Sequence, residues 1–165
     1  MNFATAGLRI AAMAAAMFAL AACSSTPDGA DGATGGSAGT VTPGSQQDLV
    51  VNVGDRVFFE FDKSTLLPEG RATLDRQAAW MKLYPANTVT VEGHCDERGT
   101  REYNLALGAR RANAVKDYLV GAGIDPARVR TISYGKERPV ALCSDESCWS
   151  QNRRGVTVVN EGAGS

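Results

Sequence analysis

Two helix-length segments, Pro68 to Tyr84 and Asn104 to Val120, stand between short runs with strand character, and that order limits the folds open to the chain. Arg56 to Phe61 (RVFFEF) reads as a strand ending at Asp62. Pro68 and Glu69 suit the first turn of a helix, Leu74, Ala78 and Met81 recur on one face, and Pro85 ends it. Thr88 to Gly93 (TVTVEG) alternates apolar and polar residues, as a half-buried strand does, and a polar loop runs from His94 to Tyr103. The second helix is stopped by Gly121 and Gly123. Arg130 to Tyr134 is expected to be a third strand, Gly135 to Gln151 a long loop, and Gly155 to Val159 the last strand. Strands separated by helices of this length need crossover connections with the helices packed on a sheet, which predicts an α/β domain.

The preceding chain is not expected to add to that core. Met1 to Ala22 has a short basic start (Arg9) and an apolar run from Ile10, too short to span a ~30 Å hydrocarbon core but right for a secretory signal. Leu20-Ala-Ala-Cys23 resembles a bacterial lipobox, which implies that Cys23 becomes an acylated amino terminus carrying N-palmitoyl and S-diacylglycerol groups. Ser24 stands where, in such lipoproteins, an Asp favours the inner membrane, so the resemblance implies outer-membrane anchoring. One acyl chain holds only marginally, whereas several give lasting attachment. From Ser24 to Asp48 the chain is rich in Gly, Ser, Thr, Ala and Asp, with Val41 its one sizeable apolar residue, and a disordered tether is expected. A coil of this composition and length spans roughly 25 to 30 Å r.m.s.. The expected folded domain therefore runs from residue 49 to 165 and carries 16 basic and 15 acidic residues, a balance unlike that of nucleic-acid binders.

The second helix holds an anomaly. Leu107, Val115 and Leu119 form one stripe, and Arg111 lies on the same stripe, while Arg110 points about 100° away. A guanidinium facing a core stays charged and must be paired, since an unpaired buried charge costs several kcal/mol. Asp96, Glu97 and Glu102, in the loop and first turn before it, are the candidate partners.

The stretch Gly93-His-Cys-Asp-Glu-Arg-Gly-Thr-Arg-Glu-Tyr-Asn104, with Asn104, Leu107, Arg111, Ala112, Val115 and Leu119 in register, closely resembles the peptidoglycan-binding domain of the OmpA-like family. DERGTREYN is similar to the peptidoglycan-associated lipoprotein (Pal) branch, and the resemblance extends from Leu49 to Val159 through Phe59-Glu-Phe-Asp62, Ile132 to Pro139 and Asn152-Arg-Arg154. It implies an α+β sandwich with helices on one mixed four-stranded sheet. It also implies a non-enzymatic protein without cofactors that grips the diaminopimelate side chain of the peptidoglycan stem peptide. That side chain ends in an ammonium and a carboxylate. The resemblance places the family's acidic ligand on Asp96 and its arginine on Arg111, with Asp62, Arg98, Thr100 and Leu107 as further contacts. A guanidinium fork takes a carboxylate by two parallel hydrogen bonds, and a helix start adds N–H groups nearby. The resemblance further implies attachment to the inner leaflet of the outer membrane, facing the periplasm, and a place in the Tol-Pal system. There TolB would compete with the wall, with Asp96 and Glu97 in both interfaces.

Among the cysteines left after Cys23, Cys143 and Cys148 are spaced C-x4-C, and in an oxidising compartment they are expected to pair, stiffening the loop; Cys95 is expected to be a buried free thiol. His94, Cys95 and Asp96 with Cys143 and Cys148 are zinc-ligand types, but adjacent residues at a strand end face opposite ways and oxidation explains the C-x4-C spacing better, so no metal is expected. No G-x-S-x-G, H-E-x-x-H or reactive Cys-His arrangement marks a wall hydrolase. Tyr103, Tyr134 and Trp149 are aromatic residues at loop or strand ends that suit either a contact surface or the core.

Overall fold

The computed structural model describes residues 41–160; the expected signal segment, Cys23 and the tether as far as residue 40 lie outside them. Four strands, β1 (Arg56–Phe58), β2 (Val89–His94), β3 (Val129–Gly135) and β4 (Arg154–Val159), form one mixed sheet in the order β1-β4-β2-β3. β2 and β3 are parallel, as the helix between them requires, and β4 enters antiparallel between β1 and β2. The helices are α1 (Gln46–Asp48), α2 (Pro68–Leu83), α3 (Arg101–Gly121) and α4 (Glu146–Asn152).

One row of residues across the sheet shows how the layers meet. Val57, Gly155 and Gly93 are cross-strand partners and point to the same face. Gly70 of α2 lies against Val57, Val115 of α3 against Gly155, and Gly108 of α3 against Gly93. The last contact is backbone on backbone: a Cβ on Gly93 would sit 1.8 Å from the Gly108 carbonyl oxygen. Both long helices therefore cover one face, and the expected stripes (Leu74, Ala78 and Met81; Leu107, Val115 and Leu119) are buried there with Val89, Val91 and Val129. Arg56, Phe58 and Ile132, on the opposite face, are exposed.

Three expectations are corrected. The tether does not reach residue 48. Asp48 is buried, its Oδ2 accepting from Trp80 Nε1 and from the Gly44 backbone, both at 2.8 Å, while Ser45 caps the segment by accepting from Asp48 N; Gln46 Oε1 accepts from Val159 N at 2.6 Å, and Leu49 is fully buried. Polar side chains meeting buried donors, which hydropathy does not register, tie this segment down; it continues from α1 into a π-helical turn at Leu49–Val53. The first strand stops at Phe58, because the chain turns away at Asp62, the one non-glycine with positive φ among the described residues (56°). The long loop contains α4, whose start is capped by Asp145 accepting from Ser147 N.

Candidate functional site

A cleft of ≈ 200 Å³ opens where the 60–63 turn, the loop after β2 and the first turns of α3 converge. Phe61, Asp62, Cys95, Asp96, Arg98, Gly99, Tyr103, Asn104, Leu107 and Arg111 line it. Its volume is below the ~300 to 1,000 Å³ of pockets that take drug-sized ligands, so it suits the end of a flexible side chain. Thr100 begins α3 by accepting from Tyr103 N at 3.2 Å, and Asn104 Nδ2 closes the preceding loop by donating to the carbonyls of Arg98 (2.8 Å) and Thr100 (2.9 Å).

Arg111 is 1% exposed, and no carboxylate among the described residues pairs with it. Its Nε donates to the Lys63 carbonyl at 2.8 Å, Nη1 to the His94 carbonyl at 2.9 Å and Nη2 to the Glu60 carbonyl at 3.0 Å. The expected ionic partner among Asp96, Glu97 and Glu102 is thus replaced by backbone from a turn some fifty residues earlier and from the end of β2. Those bonds offset the loss of water, yet they leave a full positive charge in place. Burial pulls the Arg111 pKa down from its ordinary value, but a guanidinium does not lose its proton in a protein. Three of its five N–H donors meet these carbonyls, and the guanidinium also lies beside the Cys95 thiol.

Asp96 is the opposite case. It is 4% exposed, and its oxygens accept from Arg98 Nη2 at 2.6 Å, from Arg98 Nε and N at 3.2 Å each, and from Arg153 Nη1 at 3.3 Å. Burial works to raise its pKa, but the hydrogen bonds from Arg98 and Arg153 outweigh it and hold the carboxyl below its ordinary value. Arg153 also pairs with Glu146, and its Nε donates to the Phe59 carbonyl at 3.0 Å. At the rim Asp62 is exposed and accepts from the Tyr103 hydroxyl through Oδ1; Oδ2 makes no hydrogen bond among the described residues. Phe61 and Tyr103 present about half of their surface to solvent beside it. The cleft is therefore lined by a buried cation without a carboxylate partner among the described residues, a buried carboxylate held by two guanidiniums and the exposed carboxylate of Asp62, a pattern suited to a zwitterionic group.

Burial also affects the cysteine and histidine behind the cleft. Cys95 is the free, buried thiol expected; burial raises its pKa, and its Sγ contacts the Asn104 carbonyl at 3.4 Å. The His94 ring is buried, and burial with the fields of Arg154 and Arg138 lowers its pKa to about 4. It is therefore neutral near pH 7, and the 3.4 Å approach of Nε2 to Glu92 is a contact between a neutral ring and a carboxylate rather than an ion pair.

The OmpA family model matches residues 58–153. Over 128 residues the chain is 66% identical to the peptidoglycan-associated lipoprotein of Rhizobium meliloti, covering 78% of this chain and 72% of that one. The chain belongs to the OmpA family, in its peptidoglycan-associated lipoprotein branch. As an OmpA-family domain it also matches the crystal structure of the peptidoglycan-associated lipoprotein from Burkholderia pseudomallei, with a TM-score of 0.64 and 39% identity over 68% of this chain and all of that one. The C-terminal domain of Helicobacter pylori MotB, 22% identical with a TM-score of 0.61 over 66% of this chain and 86% of that one, shares the fold.

In this OmpA-family domain the cleft brings together Asp62, Asp96, Arg98, Leu107 and Arg111 of the residues singled out from sequence. Thr100 does not line it, because its hydroxyl is committed to capping α3. Phe61, Cys95, Gly99 and Asn104 were not anticipated as lining residues. The alternation Val57, Phe59, Phe61 in RVFFEF assigns Phe61 to the buried side of a strand, and only the early end of β1 frees it. Cys143 and Cys148 are bridged, with Cα atoms 5.5 Å apart.

Proposed function

We propose that this domain binds peptidoglycan by capturing the zwitterionic end of a diaminopimelate side chain in the cleft, and that the protein tethers the outer membrane to the wall without catalysing a reaction. One observation carries this reading: Arg111 is a fully buried guanidinium that donates to three neutral carbonyls and, among the described residues, pairs with no carboxylate. A buried charge left without an internal counter-ion is costly, and an external carboxylate removes that cost. The ammonium of the same side chain meets the carboxylates of Asp62 and Asp96. Of these, Asp62 has the unsatisfied oxygen and Asp96 adds negative charge at a fixed position. Leu107 supplies an apolar wall for the methylene stem, and Arg98 a second cation at the rim.

Family membership supports the same reading, since relatives of this branch are named for peptidoglycan association. Acylation at Cys23 and a periplasm-facing position in the inner leaflet of the outer membrane follow from the lipobox resemblance. A place in the Tol-Pal system, with TolB competing for a surface that includes Asp96 and Glu97, follows from the family resemblance. Added TolB should then release the protein from the wall, and simultaneous binding would contradict the overlap.

The test is co-sedimentation of the full chain, in detergent, with purified peptidoglycan. Arg111→Lys keeps a charge but loses the fork, and Asp96→Asn removes the acid; both should abolish sedimentation while far-UV circular dichroism is retained, and Arg110→Ala should sediment normally. Undiminished sedimentation of Arg111→Lys and Asp96→Asn would sink the assignment.

A further inference from the structure

The disulfide and α4 lie outside the cleft lining, yet they reach Asp96 by two routes. In the first, the Arg98 guanidinium lies between two aromatic rings, its Cζ 4.0 Å from the centroid of Phe61 and 4.0 Å from that of Trp149. In contact with both rings, its fork meets Asp96 through Nη2 and Nε. Trp149 is fixed in turn, because its Nε1 donates to Glu97 Oε1 at 3.0 Å, on the same loop as Arg98. In the second route, Arg153 follows α4 directly, pairs with Glu146 in the first turn of α4, and donates to Asp96 Oδ2. The bridge from Cys143 closes on Cys148, the residue before Trp149, and its ring encloses the Asp145 cap of α4. Both cysteines and Trp149 are half-buried, so the cross-link supports a helix start that has little core of its own.

Asp96 is the carboxylate whose field reaches Arg111. Were it free to turn, it would be the internal counter-ion for Arg111, and closing that pair would silence both ends of a zwitterion site. The two guanidiniums that occupy Asp96 prevent this. We infer that Trp149, anchored by the Cys143–Cys148 bridge, is a positioning residue for the binding cleft: acting through Arg98, it holds Asp96 away from Arg111, so that the acidic and basic ends of the site stay separate and available. This rests on the peptidoglycan reading given above. It assigns the cross-link a role in binding rather than in global stability, and it makes Trp149 a determinant of affinity that never touches the ligand.

Affinity of the full chain in detergent for a soluble diaminopimelate-containing stem peptide, measured well below the unfolding temperature, tests the assignment. Trp149→Ala and the double variant Cys143→Ser/Cys148→Ser should each bind about three- to tenfold more weakly, and Trp149→Phe, which restores a ring over Arg98, should recover most of the loss. The decisive arm is a double-mutant cycle. If Trp149 acts through Arg98, then Arg98→Ala/Trp149→Ala binds no more weakly than Arg98→Ala alone, whereas a general structural role makes the losses add. Unchanged affinity in Trp149→Ala, or additive losses in the cycle, overturns the positioning role while leaving the peptidoglycan reading intact. Absence of binding by the unaltered protein overturns that reading, and the positioning role with it.

Discussion

Arg111 and Arg153 are both buried arginines near the same cleft, and they are satisfied in different ways. Arg153 is matched by acids, Asp96 on one side and Glu146 on the other, so that its charge is balanced within the fold. Arg111 is held by the carbonyls of Glu60, Lys63 and His94, which fix its direction and leave its charge unbalanced. Equal burial therefore marks two roles. A balanced pair organises a wall; on the proposed reading, an unbalanced cation presented to a cleft takes an anion from outside.

Breaking the two arginines should separate those roles. The largest effect is expected at Arg111→Leu, which leaves three carbonyls without a donor and removes the ligand's partner. Destabilisation of about 3 to 5 kcal/mol by urea denaturation, with peptidoglycan binding lost, is expected. Arg153→Leu, by contrast, should destabilise to a similar extent but retain measurable binding, because Arg111 is untouched; a complete loss of binding in a folded Arg153 variant would erase the distinction.

Acid should weaken the Arg111 side next. The His94 carbonyl is one of Arg111's three partners, and the His94 ring is neutral in the fold with a pKa of about 4, below the ~6.5 of an unfolded chain. The folded pKa is depressed, so this contribution is complete above about pH 6.5 and is lost as pH falls toward 4, a total of roughly 3 kcal/mol. The carboxylates with lowered pKa values, Asp96 and Glu146, add their own loss at lower pH. Denaturation at pH 7.5, 6 and 5 should show a declining stability that His94→Gln largely removes, and an unchanged decline in that variant would reject His94 as the source.

Smaller effects are expected at Asp62 and Arg110. Asp62→Asn keeps an acceptor for Tyr103 but loses the charge offered to an ammonium, and should weaken binding about tenfold, with stability changed by less than about 0.5 kcal/mol. Arg110→Ala, whose guanidinium is exposed on α3 6.0 Å from the Tyr103 ring, should change binding by less than about twofold.

Periodicity located what depends on periodicity. The stripe through Leu107, Val115 and Leu119 required Arg111 to be buried, and TVTVEG located β2, because a helix and a strand impose their spacing on the sequence directly. The partners of Arg111 were illegible for a physical reason. They are backbone carbonyls, which every residue possesses, and a turn at Asp62 aims them. The acids near α3 are engaged elsewhere or lie apart from Arg111: Asp96 is held by Arg98 and Arg153, and Glu97 accepts from Trp149 Nε1. The folded start of the domain was hidden in the same way, since Asp48 and Gln46 join it through hydrogen bonds and a Gly-rich composition signals only the lack of apolar burial. The start of α4 did carry a readable signal, an Asp cap followed by Glu146, within a segment otherwise dominated by turn residues.

On the proposed reading, Arg111 takes a carboxylate from outside the fold. The most direct measurement compares the affinity of the full chain for two soluble stem peptides, one with the side-chain carboxylate of diaminopimelate free and one with it converted to the amide. Loss of a charge-assisted bidentate contact should weaken binding by about thirtyfold or more. Equal affinity for the two peptides would mean that Arg111 does not bind that carboxylate.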